Sequence, residues 1–205
     1  MNAQKDHLLV KKSQQGDLSA FELLINKYQQ KVYALCYRFA GNQEDANDLA
    51  QEVFIRLFQS INKFYFKASF STWLYRVTTN VCLDKMRKRK RNFNVSIEEP
   101  WETEEGYIYI SLADQRYNPE ILAAQNDVQN IVHHAIQQLP GDQRITLMLR
   151  EIEGFSYTEL AQITQVSIGT VKSRLNRARY NLKLILEENT ELLEDGRHLK
   201  GKKEV

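Results

Sequence analysis

The chain has 205 residues, enough for two small domains or one of medium size but too few for a large enzyme with a separate regulatory half. Hydrophobic residues make up 42% and charged residues 26%, a balance that supports a packed core and argues against global disorder. Net charge is only +2, an average that hides a segregation of charge along the chain.

The N-terminal residues MNAQKDHLLVKK lack the apolar centre of a signal peptide, and charges interrupt every apolar run, so a cytoplasmic location is expected. Leu18, Phe21, Leu24, Ile25, Tyr28, Val32, Leu35 and Phe39 recur at three- and four-residue spacings, which predicts a helix with one buried stripe that Gly41-Asn42 ends. A second helix from about Glu44 to Ser60 turns Leu49, Val53, Leu57 and Ile61 inward. Its outer face carries Glu44, Asp45, Asp48, Gln51 and Glu52 and is acidic. Residues 62–69 are aromatic and mixed, and Ser71 is placed to cap a third helix containing Trp73, Leu74, Val77, Val81 and Leu83. That helix runs into the basic stretch DKMRKRKR, Asp84 to Arg91.

From Asn92 to Gln115 there are several acids and no lysine or arginine, together with Pro100 and an isolated YIYI that could form a short strand or pack on a neighbour. This is read as a linker. Helical pattern resumes at Pro119, a residue suited to a first helical turn, and continues to Pro140. Three more helices follow, Arg144 to Glu151, Ser156 to Thr164 and Ser167 to Leu186, before a polar end expected to fray. The expected architecture is all-α: a helical bundle over 1–91, an acidic linker over 92–118, a second helical domain over 119–188 and a polar tail over 189–205. Cys36 and Cys82 sit singly in apolar patterns without metal-ligand spacing and read as small core residues.

The segment from Ser156 to Lys183 meets the mechanical needs of a helix-turn-helix. Ser156 and Glu159 form a capping box, Ala161 is small enough for close helix packing, and a short connection leads to Ser167. Ile168, Val171, Leu175, Ala178 and Leu182 should face the core, which puts Thr170, Ser173, Arg174, Arg177 and Asn181 on the opposite side. Hydroxyls there could contact phosphate or base, and arginine could grip guanine with two hydrogen bonds. Lys172, Arg179 and Lys183 lie on the flanks and suit phosphates. No acid interrupts Leu160 to Leu186, which favours DNA binding over an ordinary solvated helix. In the first half, Phe64, Tyr65, Phe66, Phe70, Trp73 and Tyr75 alternate with Lys63, Lys67 and Arg76, a mixture that suits unstacked bases because rings stack while cations hold the backbone. Phe70, Trp73 and Leu74 are assigned to the core, leaving residues 64–69 as the candidate loop.

The runs EDANDLAQEVFIRLF, FSTWLYRVTTNVCLDKMRKRKR and SYTELAQITQVSIGTVKSRLNRAR, in this order, resemble the bacterial extracytoplasmic-function sigma factors of the sigma-70 family. The likeness covers about Val10 to Arg91 and Asp127 to Glu188. It implies a dissociable, non-enzymatic subunit of RNA polymerase that recognises promoter DNA at two places. By that resemblance, Asp45, Asp48, Gln51 and Glu52 would dock on the clamp helices of the largest polymerase subunit, and the second domain on the flap of the second-largest. Lys63, Phe64, Lys67, Arg76 and Asn80 would hold the melted −10 element, with Lys85, Arg87, Lys88, Arg89, Lys90 and Arg91 on nearby phosphates. The helix-turn-helix, through Ser167, Thr170, Lys172, Ser173, Arg174, Arg177 and Asn181, would read the −35 element. The resemblance also implies regulation by an anti-sigma factor, often membrane-anchored, and no cofactor, metal or small-molecule substrate. Two other readings compete: a stand-alone regulator whose first half only dimerises or senses a ligand, and a metal or acid–base site at Asp48 and Glu52, which lacks a histidine or third acid in register.

Overall fold

A computed structural model describes residues 2–93 and 131–200, with side-chain surroundings over 4–89 and 131–188. The acidic WETEE and YIYI segments, the helix expected from Pro119 to residue 130 and the last five residues lie outside it. So do the side chains of Lys90 and Arg91.

All regular structure among the described residues is helical: α1 (Asn2–Gln14), α2 (Leu18–Ala40), α3 (Gln43–Ser60), a 3-10 turn (Ile61–Lys63), α4 (Phe70–Phe93), α5 (131–138), α6 (Gly141–Glu151), α7 (Tyr157–Thr164) and α8 (Ile168–Lys200). Capping chemistry sets the boundaries. The side chain of Asp17 accepts from the Ala20 amide to open α2, and Gly41 closes it with a left-handed φ of +87°, which a side chain would resist. Asn42 then opens α3 by accepting from the Asp45 amide at 2.9 Å. The N-cap of α4 is Ser69, not Ser71: its Oγ accepts from the Thr72 amide at 3.0 Å, so the helix starts earlier than expected.

α2, α3 and α4 bury the predicted stripe, with Leu24, Val32, Leu35, Val53, Leu57 and Leu74 almost wholly covered. Leu18 departs from the prediction, being 66% exposed beyond the last partner helix. Cys36 and Cys82 are buried and free, and the hydrogen bond between them together with burial pushes the Cys82 thiol well up. α1 was not anticipated. It buries Val10 in the core and holds to α2 through the buried carboxylate of Asp6, which accepts from Tyr28 Oη at 2.6 Å and pairs with Lys27. The sequence boundaries shift at two further places: α4 continues to Phe93, past the expected start of the linker, and α8 continues to Lys200, through most of the expected polar tail.

In the second half, Leu139, Ile145, Met148, Leu149, Leu160, Ile163, Val171 and Leu175 form the core of α5 to α8. Ile168, placed in that core by spacing, is 43% exposed at the first turn of α8. The two halves touch. Gly141 lies so close to α4 that a Cβ there would stand 2.2 Å from Met86 Sδ. Arg144, 6% exposed, is the main polar tie. Its guanidinium donates to the carbonyls of Phe39 (2.7 Å) and Leu139 (3.2 Å), to Gln137 Oε1 (2.7 Å) and to the Gln137 carbonyl. Burial pushes its pKa down to about 10, which leaves it charged at neutral pH.

Arg144→Met should therefore strand buried carbonyls in the α5–α6 corner. The expected loss is on the order of 3 kcal/mol, since an unsatisfied buried acceptor costs ~1–3 kcal/mol and more than one is affected. Urea unfolding of the two proteins, followed by circular dichroism, measures it.

Candidate nucleic-acid interface

Three candidate surfaces were expected, and each is built differently from its helical wheel. On α8, the buried side is Val171, Leu175 and Ala178, as expected. α7 begins with the complete capping box: Ser156 Oγ accepts from the Glu159 amide, and the Ser156 amide donates to Glu159 Oε2 at 2.9 Å. Gln165 makes the turn to α8 in the left-handed region at φ +56°, and Ser167 caps α8 by accepting from the Thr170 amide at 3.1 Å. Ser167 is thus engaged as a cap. Thr170, Lys172, Ser173 and Arg177 are exposed together on the outer face.

Two expected members of that face turn aside. Arg174 lies against α6, with Nε 3.1 Å from Asp142 and a side chain 19% exposed. Asn181 donates to Gln143 Oε1 at 2.9 Å. Both sit on the shoulder where α8 crosses α6, so acceptors on α6 compete with DNA for them. Of the three expected flanking cations, Lys172 is exposed on the outer face, Arg179 pairs with Glu151 at 2.6 Å and Lys183 with Glu187 at 3.5 Å on an exposed part of the helix.

In the first half, Phe64 is buried, contrary to its placement in a base-binding loop. Its ring packs against Phe66, Phe70 and Trp73 at centroid distances of 4.8, 6.1 and 5.0 Å. The chain turns at Phe66 with φ +57°, which leaves Tyr65 75% exposed between Lys63 and Lys67. Tyr65 is therefore the loop's available ring, a residue that alternation alone could not distinguish from Phe64. Lys63, Lys67 and Arg76 do converge, lining one groove with Tyr65. Asn80 is exposed one turn further along α4.

The acidic face of α3 and the basic end of α4 lie side by side. Asp45, expected to point outward, turns to α4: its carboxylate is 3.3 Å from Lys85 and 2.7 Å from Arg89, and the side chain is 14% exposed. Asp48 is 3.8 Å from Lys85 and stays open to solvent, as does Gln51. Glu52 pairs with Arg56 at 2.6 Å, Arg56 continues to Asp84 at 3.0 Å, and Asp84 meets Arg87 at 3.2 Å. Lys88 is exposed beside this network. Among the described residues no group of three or more histidines, cysteines, aspartates or glutamates gathers as a metal site, and no helix is long and apolar enough to cross a membrane.

The arrangement is that of a two-part helical transcription initiation factor, and comparison with known proteins agrees. Residues 24–92 match Sigma-70 region 2 and residues 129–182 match Sigma-70, region 4. The chain is 35% identical to the ECF RNA polymerase sigma factor SigW of Bacillus subtilis, over 87% of this chain and 95% of that protein. It is 37% identical to the RNA polymerase sigma-H factor of Pseudomonas aeruginosa, over 87% of this chain and 92% of the relative. With the ECF RNA polymerase sigma-E factor of Escherichia coli the identity is 36%, over 85% and 90%. The fold is also similar to solved structures of the sigma factor RpoE in complex with the anti-sigma factor NepR from Bartonella quintana (TM-score 0.63, 25% identity, 82% of this chain and 96% of that one) and of CnrH in complex with the cytosolic domain of CnrY (TM-score 0.63, 21% identity, 90% and 98%). The chain belongs to the extracytoplasmic-function RNA polymerase sigma factors.

Burial alone would raise the Asp45 pKa, but the Asn42 hydrogen bond and the Arg89 and Lys85 cations outweigh it and hold the carboxyl below its ordinary value. A folded-state pKa below the unfolded one gives stability that is present above the unfolded pKa and lost as pH falls through the folded one. Asp45→Asn should lower the urea midpoint at pH 6 and lose that deficit below the ordinary carboxylate range. A midpoint difference that persists unchanged at low pH would mean the carboxylate charge is not what matters.

Proposed function

We propose that this protein directs bacterial RNA polymerase core to specific promoters and initiates transcription there, using region 4 to read a −35 duplex and region 2 to hold the melted −10 strand. The observation that carries this is the capped α7–α8 unit, whose exposed outer face presents Thr170, Lys172, Ser173 and Arg177 and no acid. Arg177 is the candidate base reader, because its guanidinium is exposed and can donate a pair of hydrogen bonds to guanine in the major groove. Arg174 joins it on giving up Asp142, an exchange between two anions. Tyr65, Lys63, Lys67 and Arg76 supply a ring and cations for an unstacked strand, and a trapped base offsets the few kcal/mol lost on unstacking. Lys85, Arg87, Lys88 and Arg89, with Lys90 and Arg91, serve the duplex phosphates upstream.

Asp48, Gln51 and Glu52 form the polymerase-facing edge of α3 against the clamp helices of the largest subunit, with Asp45 bracing that edge from behind. Region 4 takes the flap of the second-largest subunit. The protein works in the cytoplasm, has no catalytic residue of its own and is held in check by an anti-sigma factor. The division proposed is region 2 from the N-terminus through the end of α4 at Phe93, a linker up to 118 and region 4 over 119–188, with α8 continuing beyond it.

Tagged protein should retain core polymerase, and Asp48→Arg should abolish run-off transcription while leaving the fold intact by circular dichroism. Transcription by Asp48→Arg at the wild-type level would remove the α3 edge from the interface. Arg177→Ala should cost about 1–3 kcal/mol of promoter affinity and relax preference at a single base pair. Equal weakening on every sequence would mean a phosphate contact. Arg89→Ala should reduce the slope of log affinity against log salt by roughly one unit.

A further inference from the structure

α1 ends at Gln14, before the region 2 match begins at residue 24, and none of the polymerase or DNA contacts proposed for region 2 falls on it. It is nevertheless firmly seated, with Val10 fully buried and Asp6 accepting from Tyr28 Oη at 2.6 Å. From that seat two side chains reach the loop that exposes Tyr65. Gln14 Nε2 donates to the carbonyls of Ile61 and Phe64, each at 2.9 Å, and so spans the 3-10 turn on which the loop begins. The Phe64 amide closes the same turn on the Ile61 carbonyl at 3.1 Å. The His7 ring lies against the Phe66 ring, with centroids 4.2 Å apart.

These contacts fall where the loop is hardest to hold. Phe66 has φ +57°, a left-handed conformation that a bulky side chain adopts only at a cost in energy, so its surroundings must fix it. Its ring is clasped between His7 and Phe64, the second at 4.8 Å. The far end of the loop is fixed separately on α4, where Ser69 accepts from the Thr72 amide at 3.0 Å. The near end is fixed by α1. Between them, the turn sets where the exposed Tyr65 ring stands in the groove it lines with Lys63, Lys67 and Arg76. A ring that receives an unstacked base gains from being placed beforehand, because ordering a loose loop would draw on the same binding free energy that offsets unstacking.

We propose that α1 is a positioning element for strand capture, in which Gln14 and His7 hold the 61–66 turn so that Tyr65 stands ready before DNA arrives. The proposal rests on the reading of Tyr65, Lys63, Lys67 and Arg76 as the groove for the melted strand. Gln14 and His7 act through the loop backbone and do not touch the strand.

Three variants test this without altering any proposed DNA or polymerase contact. Gln14→Leu removes both hydrogen bonds with a side chain of similar size, and at this half-buried position water can reach the carbonyls it leaves. His7→Ala removes the ring from an exposed position, and His7→Phe keeps a ring against Phe66. Limited trypsin digestion of the full-length chains, read by mass spectrometry, should cut after Lys63 and Lys67 about 5- to 10-fold faster in Gln14→Leu and His7→Ala, the effect of losing about one net hydrogen bond. His7→Phe should cut at the wild-type rate. With core polymerase, the first two variants should transcribe a duplex promoter about 5- to 10-fold less than wild type. On a template already unpaired across the −10 element they should come within about 2-fold of wild type, since a preformed bubble removes the unstacking that the loop offsets. His7→Phe should match wild type on both templates.

Equal losses on the two templates would mean that α1 only keeps region 2 folded, and faster cutting with unchanged duplex transcription would mean that the loop needs no brace. Either overturns the proposal, as does unchanged cutting in both Gln14→Leu and His7→Ala. If a thermal melt shows Gln14→Leu unfolded, the two His7 variants decide alone. Should the wild type itself fail to transcribe any duplex promoter with core polymerase, the promoter-directing reading falls and strand capture with it, whereas the trypsin rates still show whether α1 holds the loop.

Discussion

The Arg144 guanidinium is the constraint on which the arrangement of the second half, and its meeting with the first, depends. Helix ends leave carbonyls without intrahelical partners, and when such ends are buried they must be met by something other than water. Here the end of α2 and the corner between α5 and α6 converge, and one planar group with five N–H donors serves both. A cation beside two helix C-termini is also favoured by their dipoles. The desolvation that lowers its pKa is the counterweight, and four hydrogen bonds offset it. Removing such a partner costs more than the pair contributes, because the acceptors stay buried.

α4 is the second organising element, and it changes character along its length. Its first turns bury Phe70, Trp73, Leu74 and Tyr75, tying the aromatic loop to the core. Its later turns carry the cations that pair with α3. Exposed ion pairs of this kind are worth about 0–1 kcal/mol, so Arg87 and Asp84 can separate for a phosphate at small cost. The Asp45 cluster differs, being largely covered and held by Asn42, Lys85 and Arg89 at once. Asp45 is a positioning residue that fixes the angle between the acidic edge of α3 and the basic end of α4.

Much of this was legible in the sequence where one local rule decides. The Ser156–Glu159 box, the glycine at 41 and the spacing of Val171, Leu175 and Ala178 each act within one or two turns of helix. Errors arose where a third body decides. Arg174 lies on the solvent side of a lone helix, yet Asp142 on α6 takes it. Phe64 and Tyr65 carry the same signal of ring and neighbouring cation, and only the turn at Phe66 decides which one is buried. Asp45 belongs to an acidic stripe by spacing, but its partners come from a helix tens of residues away. Arg144 had no signal at all: arginine is a surface residue by default, and its key acceptor is 105 residues upstream. α1 was missed because its apolar contribution is small, Val10 and part of Leu9, and its other ties are polar: the buried Asp6 carboxylate and Gln14, which donates to the Ile61 and Phe64 carbonyls.

These interactions differ in what they cost to break. Contacts legible from local pattern, the caps and buried stripes, lie inside each half and keep it folded. Contacts that pattern could not foresee lie partly within a half, as with Asp6, Asp45 and Arg174, and partly between the halves, where Tyr75 meets Glu153 and where Gln137 and Arg144 meet the end of α2. Polar groups can exchange a protein partner for water at a net cost near 1 kcal/mol each, whereas exposing an apolar side chain costs about 1.5–3 kcal/mol. The junction between the halves is not built from hydrogen bonds alone: α4 lies against α7, and Phe155 on Tyr75 and Met86 on Gly141 join the buried side chains of both halves in one continuous apolar cluster, so parting the halves would expose apolar surface as well as polar groups.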